Sequence, residues 1–143
     1  MKIINYLIPL FFLIGCKNPN IEKSYFVGNW KSSDGSYIVL NKNGTCILKN
    51  INYFKISSFP QNKNKILDTK GTWSFANNIN NGIVDGIDKG IKISYKIPDR
   101  DGNGGITFYI SGQGFNGNKE PWSLFIWEGD PDEMIKYEFI KEE

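Results

Sequence analysis

The stretch Lys92-Ile93-Ser94-Tyr95-Lys96-Ile97 alternates polar and apolar side chains along its whole length. Successive side chains of an extended strand point to opposite faces, so a period of two gives one apolar face and one polar face. The stretch Ile135-Lys136-Tyr137-Glu138-Phe139 repeats the pattern near the end of the chain. Such alternation is typical of antiparallel sheets that face water on one side, and it predicts an antiparallel sheet here.

Short runs rich in Ile, Val, Tyr, Phe and Trp recur between clusters of Gly, Asn, Asp and Ser. The pairs Asp34-Gly35 and Asn43-Gly44 predict tight turns, because both residue types tolerate a positive φ. A short helix is expected at 21–26 and a polar loop at 57–68. Strands are predicted at 28–33, 37–40, 45–56, 71–75, 82–85, 90–97, 106–111, 122–128 and 135–141.

Many short strands at regular spacing are typical of a sandwich or a barrel. Short hairpin connections favour the barrel, because an up-and-down meander can close on itself and leave no edge strand. The sequence therefore predicts an all-β fold, a single antiparallel up-and-down β-barrel. The chain from Cys16 to Glu143 has the size of one domain and can bury a core without disulfides.

The chain begins with a basic Lys2, an apolar run over 7–14 and Gly15 before Cys16. A spanning helix needs about 20 apolar residues, and this run is too short for one. A short apolar run behind a positive charge is typical of a removed secretory signal. The stretch also resembles the signal of a bacterial lipoprotein, in which cleavage falls before the cysteine and that cysteine is lipidated.

The lipoprotein resemblance implies a signal peptide at 1–15, a lipidated Cys16 with a tether at 16–25, and a barrel domain at 26–143. Acyl chains on Cys16 would anchor the protein to a membrane, as two or more chains do stably. The implied location is the bacterial cell envelope, with the outer membrane favoured over the inner. A membrane helix or an ordinary secretory signal is the alternative.

Two predicted strands open on Gly-x-Trp, in Gly28-Asn29-Trp30-Lys31 and in Gly71-Thr72-Trp73-Ser74. A Trp two positions after a strand-opening Gly can cover the end of a barrel. With Phe26-Val27 before the first motif, Tyr37-Ile38-Val39-Leu40, and Asn43-Gly44-Thr45, the chain resembles lipocalin-like lipoproteins of bacteria over roughly the first half of the mature domain. The resemblance implies a lipocalin-like, calycin-type barrel with a basic side chain of the last strand, Lys136 or Lys141, against Trp30.

Charge and residue usage exclude several classes of function. Without Lys2 the 17 basic residues fall to 16, against 15 acidic ones, so no strong field attracts nucleic acid. Arg100 is the only arginine, and arginine dominates phosphate and base recognition. The chain has no histidine, which removes Ser-His-Asp and Cys-His catalysis. Cys46 has no partner if Cys16 is lipidated, and its apolar surroundings favour a buried structural residue.

The run Asp99-Arg100-Asp101-Gly102-Asn103-Gly104-Gly105 matches the opening of a calcium loop, with oxygen donors at alternate positions. Asp99, Asp101 and Asn103 are therefore weak metal candidates. The twelfth position is Ile110, however, where such loops carry a bidentate Glu. A glycine-rich hairpin turn is the favoured interpretation, so no metal is expected.

A second polar cluster, Glu128-Gly129-Asp130-Pro131-Asp132-Glu133, groups four acids around a turn. Paired carboxylates can perform acid–base chemistry in a cleft, but a turn between two strands favours a solvated hairpin. We expect no catalytic residues, no cofactor and no enzymatic activity.

The aromatic residues form the third candidate site. A small barrel can be filled by them or can hold a small ligand, and the sequence leaves both open. Trp30, Trp73, Tyr95 and Phe108 are the candidate ligand-binding residues. The expected function is that of a membrane-anchored envelope lipoprotein with a non-enzymatic role, binding a small apolar ligand or a partner protein. The alternatives are an inhibitor or immunity-type module and, less favoured, a calcium-dependent or acid-residue enzyme.

Overall fold

Antiparallel strands are the main secondary structure of the described residues. The computed structural model describes residues 18–57, 64–79, 86–98, 101–114 and 116–143. Its elements are α1 (Lys23–Phe26), β1 (Gly28–Lys31), β2 (Tyr37–Leu40), β3 (Thr45–Asn52), α2 (Tyr53–Ile56), β4 (Ile66–Ala76), β5 (Gly90–Lys96), β6 (Asn103–Ile110), β7 (Leu124–Trp127), a 3-10 turn (Pro131–Glu133) and β8 (Lys136–Lys141).

Strands β1 to β8 form a closed barrel in which each strand pairs with the next and β8 pairs with β1. The predicted all-β, antiparallel up-and-down barrel is confirmed, and its form is compatible with a lipocalin-like fold. Within the described residues, the helices are all too short to cross a membrane. Cys16 and the predicted signal at 1–15 lie outside the described residues.

The meander brings alternate connections to the same end of the barrel. The α1 end holds α1 and the connections β2–β3, β4–β5 and β6–β7. The α2 end holds α2, within the β3–β4 connection, and the connections β1–β2, β5–β6 and β7–β8. The predicted turns are confirmed at both ends, since Gly35 has φ 86° and Gly44 has φ 85°.

The predicted strand at 45–56 is wrong over its last four residues, which form α2. Asn50 has a φ of 53°, and the register between β3 and β4 shifts between Leu48 and Ile51. The side chain of Asn52 then accepts a 3.0 Å hydrogen bond from the backbone N–H of Phe54. An Asn at this position satisfies a free N–H at the helix start and so favours the helix over a longer strand.

Two other predicted boundaries are wrong. β4 begins at Ile66, so the end of the expected loop at 57–68 is strand. β6 begins at Asn103, inside the run expected to be a hairpin turn around Asp99 and Asp101. Gly104 can join β6 because it leaves room for the ring of Tyr95, which would lie 2.4 Å from an added Cβ. The predicted strand at 82–85 lies outside the described residues.

The segment before β1 is packed across the α1 end. The backbone N–H of Asn118 donates to the side chain of Asn18 at 2.6 Å, and Lys89 Nζ donates to the carbonyl of Ile21 at 3.3 Å. Ile21 is buried. Lys141 of β8 pairs with Trp30 in the sheet and donates from Nζ to the carbonyl of Tyr25. Part of the expected tether at 16–25 is therefore fixed to the barrel.

Candidate functional site

The barrel interior is filled by inward side chains. Trp30 and Phe108 have no exposed surface, and Trp73 and Tyr95 are 4% exposed. Trp30 Nε1 donates to the carbonyl of Phe26 at 2.9 Å, and Trp73 Nε1 donates to that of Asn41 at 2.8 Å. The four predicted ligand-binding residues are thus packed within the core, and their contact with a ligand stays a prediction.

The sheet is incompletely paired between β6 and β7. Only two residue pairs join them, Tyr109 with Phe125 and Ile110 with Leu124. Ile126 and Trp127 continue β7 and pair with β8, but they have no partner position on β6. The two strands therefore separate toward the α2 end of the barrel.

The alternation of backbone hydrogen bonds shows which groups of β6 face this gap. The N–H of Ile97 bonds to the carbonyl of Gly102, and the N–H of Ser111 bonds to that of Ser123. Because antiparallel bonding alternates along a strand, even-numbered residues of β6 bond to β5 and odd-numbered residues face β7. The backbone N–H and C=O groups of Gly105 and Thr107 consequently point into the gap, where no described strand pairs with them.

A cleft of about 580 Å³ occupies this gap. We call it the β6–β7 cleft. Its walls are the middle of β6, the end of β7, α2 and the start of the β7–β8 connection. Ile106 and Ile126 contribute apolar surface beside Ile56 of α2. The cleft is open to the outside of the barrel.

Aromatic side chains continue the cleft onto the outer face of β6 and β7. The rings of Tyr109 and Phe125 lie 5.6 Å apart, and those of Phe125 and Trp127 lie 5.3 Å apart. Lys136 Nζ lies 4.3 Å from the ring centre of Phe125. Trp127 Nε1 is buried without a hydrogen-bond partner among the described residues. This outer aromatic cluster adds aromatic surface beside the cleft.

Lys55 holds α2 over the α2 end of the barrel. Its Nζ lies 3.3 Å from Glu128 Oε2 and 3.7 Å from Asp34 Oδ2. It also lies 4.6 Å from the ring centre of Tyr137. Partial burial opposes ionisation of Asp34, but hydrogen bonds from Ser36 and the charge of Lys55 hold its pKa below the ordinary value. One lysine therefore joins α2 to two other connections at this end.

A buried hydrogen-bond chain lies beneath Lys55. Tyr137 Oη donates to Ser36 Oγ at 2.5 Å, and Ser36 Oγ donates to the carbonyl of Asn50 at 2.7 Å. Burial raises the pKa of Tyr137 to about 12. The phenol is consequently protonated at neutral pH and acts as a hydrogen-bond donor.

The predicted polar clusters have structural partners. The side chain of Asp130 accepts from the N–H of Asp132 at 3.0 Å and so caps the 3-10 turn. Within the described ranges, no three Cys, Asp or Glu side chains are grouped so that they could hold a metal ion. Asp99 lies outside those ranges, and the exposed Asp101 and Asn103 lie at the start of β6. The expectation that this loop holds no calcium ion stays a prediction.

Cys46 is buried in the core, 1% exposed. Burial raises the pKa of its thiol to about 11. A protonated, buried thiol is a poor nucleophile, in agreement with the structural role expected for this residue.

Sequence reasoning missed the cleft-lining residues Lys55, Thr107 and Ile126. Their arrangement depends on the register of β6 against β7, for which the sequence carries no local signal. The acidic run at Glu128, the run ending at Gly105 and the aromatic residues were singled out from the sequence, but not as parts of one cleft. Comparison with protein-family models, with curated proteins and with solved structures gave no match to this chain.

Proposed function

We propose that this protein is a lipid-anchored envelope lipoprotein that binds a partner protein at the β6–β7 cleft and catalyses no reaction. The observation that carries the proposal is the contrast between a filled interior and an open cleft. Trp30 and Phe108 leave no exposed surface inside the barrel, whereas the cleft offers about 580 Å³ beside an aromatic cluster. Aromatic residues are enriched in the cores of protein interfaces.

A small apolar ligand is the second candidate for the same cleft. Its volume of about 580 Å³ suits a small molecule, and Ile106, Ile126 and Ile56 supply apolar contacts. The cleft is open along one side, which favours a partner that covers it over a small ligand that must be enclosed.

The pKa values and the pairing of the ionisable groups also favour a binding role over a catalytic one. General acid–base catalysis is most effective when the group has a pKa near the working pH. Burial instead raises the pKa of Tyr137 to about 12 and that of Cys46 to about 11. Lys55 and Glu128, the charged groups of the cleft, pair with each other at 3.3 Å. These contacts support α2 and are not arranged around a reacting atom.

The anchor would orient the cleft. Asn18 is bonded to the α1 end, and a residue spans at most about 3.6 Å, so the Cα atom of a lipidated Cys16 would lie within about 7 Å of that of Asn18. This short distance turns the α1 end toward the membrane and the α2 end away from it. The cleft opens near the α2 end and would thus be presented to partners in the surrounding compartment of the envelope.

Site-specific photo-crosslinking tests the proposed binding role in cells that express the full chain. A benzophenone amino acid replaces Pro131 at the rim of the cleft or, as the control, exposed Lys49 on β3 at the far side of the barrel. We expect a discrete protein adduct from position 131 and none from position 49. Absence of an adduct at 131, or equal adducts at both positions, would exclude partner binding at the cleft.

Cell fractionation tests the proposed anchor separately. Cys16→Ser should move the protein from the membrane pellet to the soluble fraction, because the acyl chains are the proposed anchor. Retention of the variant in the pellet after a salt wash would show that another feature holds the protein there.

A further inference from the structure

The unpaired part of β6 has the chemistry of a strand edge. Gly105 and Thr107 both present an N–H and a C=O to the β6–β7 cleft. Donor and acceptor thus repeat every second residue, and an extended polypeptide matches this pattern with its own backbone. Both residues are exposed.

We propose that the partner inserts an extended segment into the β6–β7 cleft and pairs with β6 as an added antiparallel strand. This inference rests on the proposed partner-binding function and names the form of the partner. The backbone bonds would be made to Gly105 and Thr107. Residues opposite each other in an antiparallel pair point to the same face, so the side chain opposite Ile106 enters the cleft.

The walls of the cleft predict the type of side chain that the partner places opposite Ile106. Ile106 is buried on the inner face, and Ile126 and Ile56 are half-buried beside the same cleft. An apolar residue such as Leu would cover these three side chains. Gly105 has no side chain on the outer face, which leaves room for a large aromatic residue opposite it.

The charge of the β7–β8 connection predicts which residues the partner segment carries where it reaches the α2 end of the barrel. The β7–β8 connection carries Glu128, Asp130, Asp132 and Glu133. In the described part of the chain Lys55 pairs with Glu128, and no cation lies within ion-pair distance of the other three. A segment with Lys or Arg after its apolar residues would complement this acidic rim. The proposed partner therefore contributes an extended segment with a basic end.

A fluorescein-labelled peptide, Thr-Leu-Tyr-Ser-Lys-Lys-amide, is the probe. In the proposed register its Thr lies opposite Thr107 and its Tyr opposite Gly105. Fluorescence anisotropy measures its binding to the intact barrel. Thr107→Pro removes the N–H that faces the cleft but leaves the bonds to β5, which Ile106 and Phe108 make. Thr107→Val keeps the N–H and is the matched control.

We expect Thr107→Pro to weaken peptide binding about tenfold or more, because a strand-pairing hydrogen bond is lost, and Thr107→Val to change it less than threefold. Equal binding by wild type and both variants would overturn the proposal. A peptide N-methylated at Thr and Tyr gives the same test on the unchanged protein, since those N–H groups would face β6. Binding that survives methylation also overturns strand addition.

The peptide and the crosslinking experiments separate the two proposals. If position 131 gives a protein adduct but the peptide does not bind at millimolar concentration, the cleft binds a partner and strand addition is wrong. If neither is observed, the proposed function itself is excluded. Replacing the two Lys of the peptide by Glu should weaken binding, and an unchanged affinity would contradict the assigned acidic rim.

Discussion

Replacing Trp30 by Ala is expected to lower the free energy of unfolding by about 3–5 kcal/mol, as the loss of a large buried aromatic side chain does. Trp30 has no exposed surface, and its ring stacks on that of Phe26 with centres 5.7 Å apart. Its Nε1 also donates to the carbonyl of Phe26 at 2.9 Å, so the change removes both packing and a bond to α1. Domains of this size are stable by about 5–15 kcal/mol, so the loss is a large fraction of the total.

Urea unfolding followed by far-ultraviolet circular dichroism measures this loss. Trp30→Phe keeps an aromatic ring but removes the hydrogen bond to Phe26, so it should cost less than Trp30→Ala. Ile140→Ala is the surface control, since Ile140 is 55% exposed, and it should change the stability by about 0.5 kcal/mol or less. A loss below about 1 kcal/mol for Trp30→Ala would refute the structural role assigned to this residue.

Three further predictions concern buried and ionisable groups. Ser36→Ala should destabilise the barrel more than Tyr137→Phe in urea unfolding, because it removes both the Ser36 acceptor of the Tyr137 hydroxyl and the donor to the Asn50 carbonyl. The double variant should cost less than the sum of the two single variants. Although partial burial opposes ionisation of Asp34, hydrogen bonds from Ser36 and the charge of Lys55 lower its pKa in the folded state. The stability that they contribute is therefore fully present above about pH 4 and is lost as the pH falls further. Urea unfolding of Asp34→Asn and wild type from pH 2.5 to 7 should show their difference in stability shrinking at the acid end, and a constant difference would contradict this. The thiol of Cys46, with a pKa of about 11, should react with a thiol-specific disulfide reagent only after unfolding, so rapid labelling of the native protein would contradict its burial.

Periodicity predicted the strands whose apolar residues face one side. Ile93 and Tyr95 are buried while Lys92 and Ser94 are exposed, as the alternation of β5 requires. The turn at Asn43-Gly44 followed from the backbone freedom of glycine. These features are local, because each depends on a few neighbouring residues.

The missed features depend on competition between local preferences or on distant pairing. Tyr53, Phe54 and Ile56 suit a strand as well as a helix, and the Asn52 cap decides between them. β4 extends back to Ile66 because it pairs with Asn52 of β3, although Ile66 and Leu67 lie between polar residues in the sequence. The cleft could not be predicted, since it arises from pairs that β6 and β7 do not make.

Amide hydrogen exchange along β6, resolved by nuclear magnetic resonance, tests most directly whether the barrel carries an unpaired edge beside its filled core. We expect the N–H groups of Gly105 and Thr107 to exchange rapidly, because they face the β6–β7 cleft. Those of Gly104, Ile106 and Phe108 should exchange slowly, because they bond to β5. Uniform slow exchange over all five positions would show a closed sheet and contradict the account.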